Sequence, residues 1–239
     1  MTKPNPINKE VLWDKTKIII SETDSFGTIT SVNSVFSDVS GYTIDELVGQ
    51  PHSIIRHPDM PKIIFKMLWE NLKQGNNFIG IVKNLAKSGR YYWVVTDFEI
   101  HRDETGNIFG YVGKRKAVPQ SVVDNYVAPF YETLLKLEKI GGIELSHRFF
   151  KNYLVKQGKD YIDFIISILS EAESDLLAAG LAVSPSLSNG HEQHEVPDSI
   201  YHVNNAMNEK RKSFFEKLFA TETNNSSDEI RKNFFERLF

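Results

Sequence analysis

Apolar and β-branched residues gather in five short runs along the first half of the chain, each bounded by turn-forming residues. Lys17 to Ser21 and Thr28 to Val32 flank Asp24-Ser25-Phe26-Gly27, a pattern that predicts an opening hairpin. Phe78 to Asn84, Tyr91 to His101 and Ile108 to Ala117 are joined by Lys87-Ser88-Gly89-Arg90 and Asp103-Glu104-Thr105-Gly106, which predicts three further antiparallel strands. Between these groups the pattern turns helical. One short helix opens at Asn33 and another at Thr43, where Thr43 and Glu46 stand at capping-box spacing ahead of Leu47 and Val48. Pro61 to Gln74 predicts a longer amphipathic helix with Ile64, Met67, Leu68 and Leu72 facing inward, stopped by Gly75. The class is α+β: a five-stranded antiparallel sheet with short helices, and a ligand pocket between the two layers.

Beyond Ala117 the periodicity is helical throughout. Val123, Val127, Phe130, Leu134 and Leu137 alternate steps of four and three, with Pro129 as an alternative helix start and Gly141-Gly142 as the stop. Leu145, Phe149 and Tyr153 form a second stripe, and Tyr161, Ile165, Ile168 and Leu169 a third. The chain therefore divides into an N-terminal cap (1–16), a sheet domain (17–118), a helical region (122–182), a flexible polar linker (183–205) and a tail (206–239). The helical region packs on itself, on the sheet domain or on a second copy in a homodimer. In the tail, Arg211-Lys212-Ser213-Phe214-Phe215-Glu216-Lys217-Leu218-Phe219 recurs as Arg231-Lys232-Asn233-Phe234-Phe235-Glu236-Arg237-Leu238-Phe239. Each copy puts its Phe and Leu residues at helical spacing on one side, which predicts docking in a groove of a partner protein. Residues 209–219 hold four Lys or Arg against two Glu. At about 1 kcal/mol per basic residue that is too little charge for strong attachment to a membrane surface.

With 239 residues, 41% of them hydrophobic, and 16 Phe, the chain has ample material for a core. A net charge of −3 provides no general attraction for a phosphate backbone, so nucleic acid is not an expected partner. No apolar run reaches the ~18 residues that span a bilayer, and a cytoplasmic protein is expected. The absence of cysteine excludes disulfides, thiolate zinc sites, iron–sulfur clusters and a cysteine nucleophile. Gly190-His191-Glu192-Gln193-His194-Glu195 fails the zinc-protease motif because its histidines are not four apart. Neither a phosphate loop nor a nucleophile elbow is present, so enzymatic output is not expected.

Four strings carry the candidate chemistry: Ser40-Gly41-Tyr42-Thr43, Gly49-Gln50-Pro51-His52, Arg56-His57-Pro58-Asp59-Met60-Pro61 and Gly80-Ile81-Val82-Lys83-Asn84, with Tyr92-Trp93-Val94 beside them. Together they resemble an Aer-type PAS domain, the sensor of bacterial aerotaxis receptors, over residues 8 to 118 or so. The resemblance implies the PAS fold and a pocket for the flavin FAD. It implies that Arg56 at the rim pairs with the cofactor's phosphates or a neighbouring carboxylate, and that His57 and Asp59 hydrogen-bond the flavin or each other. It implies that Trp69 stacks on or shields an aromatic ring, and that Asn84 and Asn33 face the cavity with amides suited to the flavin edge. The residues alone also allow an Arg56–Asp59 structural ion pair and a Trp69 that is ordinary core. His57 opens a haem reading, ranked below flavin by the resemblance. Without cysteine, any flavin here signals without the cysteinyl adduct of blue-light sensors.

Aerotaxis receptors of this kind carry a membrane anchor, a HAMP domain and a signalling coiled coil, none of which is found in this sequence. The chain is accordingly similar to CetB-like bipartite energy-taxis proteins, in which a separate chemoreceptor-like transducer supplies those parts. The expectation is a cytoplasmic redox sensor for aerotaxis or energy taxis, recruited to a membrane-associated chemosensory array and signalling by protein contact. A cofactor-free PAS adaptor whose tail recruits partners is the alternative.

Overall fold

The computed structural model describes residues 3–178 and 205–219. The linker expected at 183–205 and the second tail repeat at 231–239 lie essentially outside the described residues. Five antiparallel strands, β1 (Ile19–Asp24), β2 (Ile29–Val32), β3 (Phe78–Leu85), β4 (Tyr91–Arg102) and β5 (Ile108–Ala117), form one sheet in the order β2-β1-β5-β4-β3. The first and last strands in sequence are thus neighbours in its middle. Asp24 builds the first turn by accepting from the N–H groups of Phe26 (2.9 Å) and Thr28 (2.8 Å), and Gly27 takes the left-handed conformation the turn requires, φ +84°.

Three helices cross one face of the sheet: α1 (Ser34–Ser40), α2 (Ile44–Leu47) and α3 (Lys62–Lys73). The capping box expected at α2 is formed in both directions, with Glu46 N–H donating to Thr43 Oγ1 (3.3 Å) and Thr43 N–H to Glu46 Oε2 (3.0 Å). Along α3 the residues Ile63, Ile64, Met67, Leu68, Asn71 and Leu72 are buried, the expected stripe widened by two. Its cap residue, Pro61, has no side-chain acceptor for the first N–H groups.

The other face is covered by the C-terminal helices: α4 (Gln120–Val122), a π-helical stretch Val123–Val127, α5 (Ala128–Gln157), α6 (Tyr161–Ala178) and α7 (Asn205–Phe219). Pro129 marks the start of α5, as the sequence allowed, although helical backbone runs into it from the π-helical stretch. It sits in the first turn of α5, directly after the π-helical stretch, where a wider turn relieves a residue that lacks its N–H and crowds the preceding carbonyls. Gly141 and Gly142 leave helical geometry and bend α5, at the position where the sequence predicts a stop. Phe130, Phe150, Tyr153 and Phe164 meet with ring centroids 4.9–6.0 Å apart, and Tyr161 stacks on Phe78 of β3 at 5.0 Å. Tyr131 donates its hydroxyl proton to the Ile81 carbonyl (2.7 Å), joining α5 to β3. Among the described residues, no helix is long and apolar enough to cross a membrane.

Candidate functional site

Side chains alternate across a strand, so Val82 and Asn84 of β3 share a face with Thr96 and Phe98 of β4, the face turned to α3, while Trp93 and Asp97 take the other. Val82, Asn84, Thr96 and Phe98, with Tyr111 and Arg115 of β5, form the floor of a cavity of ≈ 250 Å³. Phe65, Leu68, Trp69 and Leu72 of α3 form the opposite wall, and His52, Ser53, Ile55 and Arg56 close one side. Arg56 is held beside the floor by an isolated antiparallel bridge between its backbone and that of Asn84 at the edge of β3. Its guanidinium lies 3.7 Å above the centre of the Phe65 ring. Trp69 packs edge-on to Tyr111 at 5.7 Å.

Two cations face this space, and among the described residues no Asp or Glu lines it. Arg115 is 3% exposed; one arm donates to the Gly113 carbonyl (2.8 Å) and the other to His52 Nε2 (2.9 Å). A Cβ at Gly113 would stand 2.5 Å from that guanidinium, so the strand needs glycine there for the arginine to fold back. Burial pushes the Arg115 pKa down to about 10, which leaves it charged at neutral pH. Because arginine only donates, His52 Nε2 is an acceptor and the ring is neutral. Burial, then the Arg115 charge, pushes the His52 pKa down to about 3. Three buried polar atoms of the lining lack a hydrogen-bond partner: Asn84 Nδ2, Thr96 Oγ1 and Arg56 Nε. Buried polar atoms are paired in the great majority of native sites, so this cluster makes the cavity the candidate site for a polar partner.

Of the six residues singled out in the sequence, Arg56, Trp69 and Asn84 meet in this cavity. Asn33 does not. Its Oδ1 accepts from Phe36 N–H (3.0 Å) and Ile20 N–H (3.1 Å) while Nδ2 donates to the Ile18 carbonyl (2.8 Å), so its amide caps α1 and pins it to β1. His57 and Asp59 also lie outside the lining. His57 is buried with Nδ1 accepting from Asp59 N–H (3.1 Å), and Asp59 pairs with Lys83 at 2.8 Å, an odd position of β3. Burial and the Lys83 charge push the His57 pKa down to about 4. Arg56 makes no ion pair with Asp59, whose partners are Lys83 and His57. Arg115 was not singled out, and His52 only as the last residue of the string Gly49-Gln50-Pro51-His52, without a role of its own. Lys114-Arg115-Lys116 reads as a solvated basic run, and only the strand parity shared by Tyr111, Gly113 and Arg115 separates the inward cation from Lys114, which pairs with Glu99 at 2.8 Å.

Residues 29–114 match the protein family described as PAS fold. Over 141 residues, 59% of this chain, the sequence is 39% identical to the aerotaxis receptor of Escherichia coli (strain K12), covering 26% of that protein. Over 88 residues, 36% of the chain, it is 31% identical to the biofilm dispersion protein BdlA of Pseudomonas aeruginosa, covering 21% of that protein. The matched stretch is thus about a quarter of each relative's length. Similar solved structures include a PAS domain of a protein from Colwellia psychrerythraea, with a TM-score of 0.40 and 20% identity over 43% of this chain and 87% of that one. The light state of the Aureochrome1 LOV photoreceptor has a TM-score of 0.43 and 20% identity over 46% of this chain and 89% of its own. Sheet order and sequence match agree: residues 29–114 match the PAS fold, and the chain is similar over 141 residues to an aerotaxis receptor.

Proposed function

We propose that this PAS domain binds FAD and works as a redox sensor for aerotaxis or energy taxis, passing its state by protein contact to a chemoreceptor-type transducer. The observation that carries the reading is the convergence of three unpartnered buried polar atoms and two guanidinium groups on one cavity that no carboxylate lines among the described residues. A neutral apolar ligand leaves those groups unsatisfied; a ligand with amide edges and negative charge answers all of them. At ≈ 250 Å³ the cavity is slightly smaller than the ~300–1,000 Å³ of typical ligand sites, so it suits a ring system, with the rest of a dinucleotide running past the rim. When bound, FAD supplies reversible electron transfer coupled to proton uptake.

In this reading Asn84 and Thr96 hold the polar edge of the ring, Trp69 and Phe98 its faces, and the deeply buried Arg115 fixes a cation beside it. Arg56, half-buried at the side of the cavity, is the counter-charge for phosphate. Ser21 Oγ, 3.0 Å from His52 Nε2, and the His52–Arg115 hydrogen bond keep that guanidinium in place. Two features speak against the alternatives. A cofactor-free adaptor has no use for the unpartnered amide, hydroxyl and guanidinium. A haem needs a free imidazole nitrogen, whereas His52 Nε2 is occupied by Arg115 and His57 lies outside the cavity. In this reading the state passes outward through α3, whose Lys62 and Ile63 N–H groups donate to Glu138 of α5, and through β4, whose Asp97 pairs with Arg211 of α7.

The test is the visible spectrum of the purified full chain, before and after addition of FAD, followed by reductive titration. Flavin bands that bleach reversibly support the reading. A Soret band, or a colourless protein that does not take up FAD, overturns it.

A further inference from the structure

The helix α7 contains the first tail repeat, and it is docked on the chain's own sheet. Met207 and Arg211 are buried and Phe214 is partly buried against the core, a stripe at i, i+4 and i+7. The Arg211 guanidinium pairs with the Asp97 carboxylate of β4, and Lys210 Nζ lies 3.0 Å from Asp163 of α6. The docking stripe therefore runs through the arginine, not only through the phenylalanines that the sequence pattern favours.

Asp97 occupies an interior strand with 2% of its surface exposed. A carboxylate there is costly unless paired. Its cross-strand neighbour in register, Lys114, turns its amine to Glu99, which leaves Arg211 as the partner within hydrogen-bond reach. Burial raises the Asp97 pKa to about 6, and the Arg211 charge pulls it back. The second repeat is identical to the first at seven of nine positions and keeps Arg231 and Phe234 where the first has Arg211 and Phe214. It has Ser227 and Ile230 where the first has Met207 and Lys210.

We propose that the face of β4 around Asp97 is a socket for these arginine-anchored tail segments, filled in cis by the first repeat and taken by the second, Arg231–Phe239, when the first is released. The chain then has one socket and two plugs of unequal strength. Arg231 supplies the charge for Asp97 and Phe234 the apolar contact, while loss of the Met207 and Lys210 contacts ranks the second plug below the first. A tethered plug acts at an effective concentration on the order of mM, so it shuts out micromolar competitors until its own contacts loosen. The proposal is independent of what fills the cavity on the other side of the sheet.

The test uses the full chain and a fluorescein-labelled peptide of residues 225–239, followed by anisotropy. The wild-type chain should bind the peptide weakly, and so should Arg211→Ala, whose own tethered second repeat then fills the socket. Arg211→Ala/Arg231→Ala, which removes the anchor of both resident segments, should bind it at least about tenfold more tightly. Adding Asp97→Asn to that chain should abolish the gain. A peptide carrying Arg231→Ala should not bind the Arg211→Ala/Arg231→Ala chain, and this control leaves the fold of the protein untouched. Equal binding by wild type and Arg211→Ala/Arg231→Ala, equally tight binding by Arg211→Ala alone, affinity unaffected by Asp97→Asn or by Arg231→Ala in the peptide, or no binding to any chain overturns the proposal.

Discussion

Glu138, in the middle of α5, closes the N-terminus of α3: its carboxylate accepts from Ile63 N–H at 2.9 Å and from Lys62 N–H at 3.0 Å. A helix start presents unpaired N–H groups and a positive dipole end, and Pro61 leaves both unanswered. Lys66 adds a 2.8 Å ion pair to Glu144, so the cavity wall and the bent helix behind it are joined at two points. Glu138→Ala should lower unfolding free energy by about 1–2 kcal/mol, as loss of a helix cap does. Glu138→Gln should recover part of it. Urea unfolding followed by tryptophan fluorescence checks this, and an unchanged midpoint would mean that water replaces the carboxylate without loss.

Asn33 and Asn84 carry the same amide and should fail in different ways. Asn33→Ala removes a cap and two tethers to β1, so stability should fall by about 1–2 kcal/mol with FAD affinity unchanged in the folded fraction. Asn84→Ala should leave stability nearly unaltered and weaken FAD binding by up to about tenfold, the effect of one net hydrogen bond. Arg115→Met should weaken it further. Equal affinity loss at both asparagines would remove the distinction between the two positions.

Gly27 stands at φ +84° with the edge of Trp69 so close that a Cβ would meet Cη2 at 3.0 Å. Gly27→Ala therefore combines a left-handed backbone with a displaced indole, at a cost of about 1–2 kcal/mol from the backbone alone. The emission of Trp69 should shift as well. Stability loss without a spectral shift would show that the turn, not the indole, gives way.

His52 makes stability depend on pH. Its ordinary value is 6.5 and the folded value is about 3, so the unfolded chain binds a proton that the folded one refuses between those limits. The stabilisation is complete above pH 6.5 and is lost as pH falls, by about 1.4 kcal/mol per unit. His57 acts in the same direction, and Asp97, raised to about 6, opposes both between about 6 and 3.8. Comparing unfolding free energies of wild type and His52→Gln at pH 7, 6 and 5 isolates the first contribution. Parallel slopes would assign it elsewhere.

The sheet, its turns and its caps were legible because each rests on residues close in sequence, such as Asp24 with Gly27 or Thr43 with Glu46. Half of the candidate site was legible for a different reason: Arg56, Trp69 and Asn84 sit in strings whose resemblance to Aer-type domains points to a cavity. His57 and Asp59 share one of those strings but turn to Lys83, a difference set by which side of β3 each side chain meets. Arg115 was hidden in a run of basic residues. The Asp97–Arg211 pair spans 114 positions, and nothing local to either residue announces it.

Thr96 and Asp97 are consecutive, yet one belongs to the cavity and the other to the surface that receives the tail. The peptide unit between them is therefore the whole thickness of the wall separating two chemical compartments. A single isotope label on that carbonyl or amide reports on ligand from one side and on helix from the other, so the two kinds of occupancy can be followed at one atom pair.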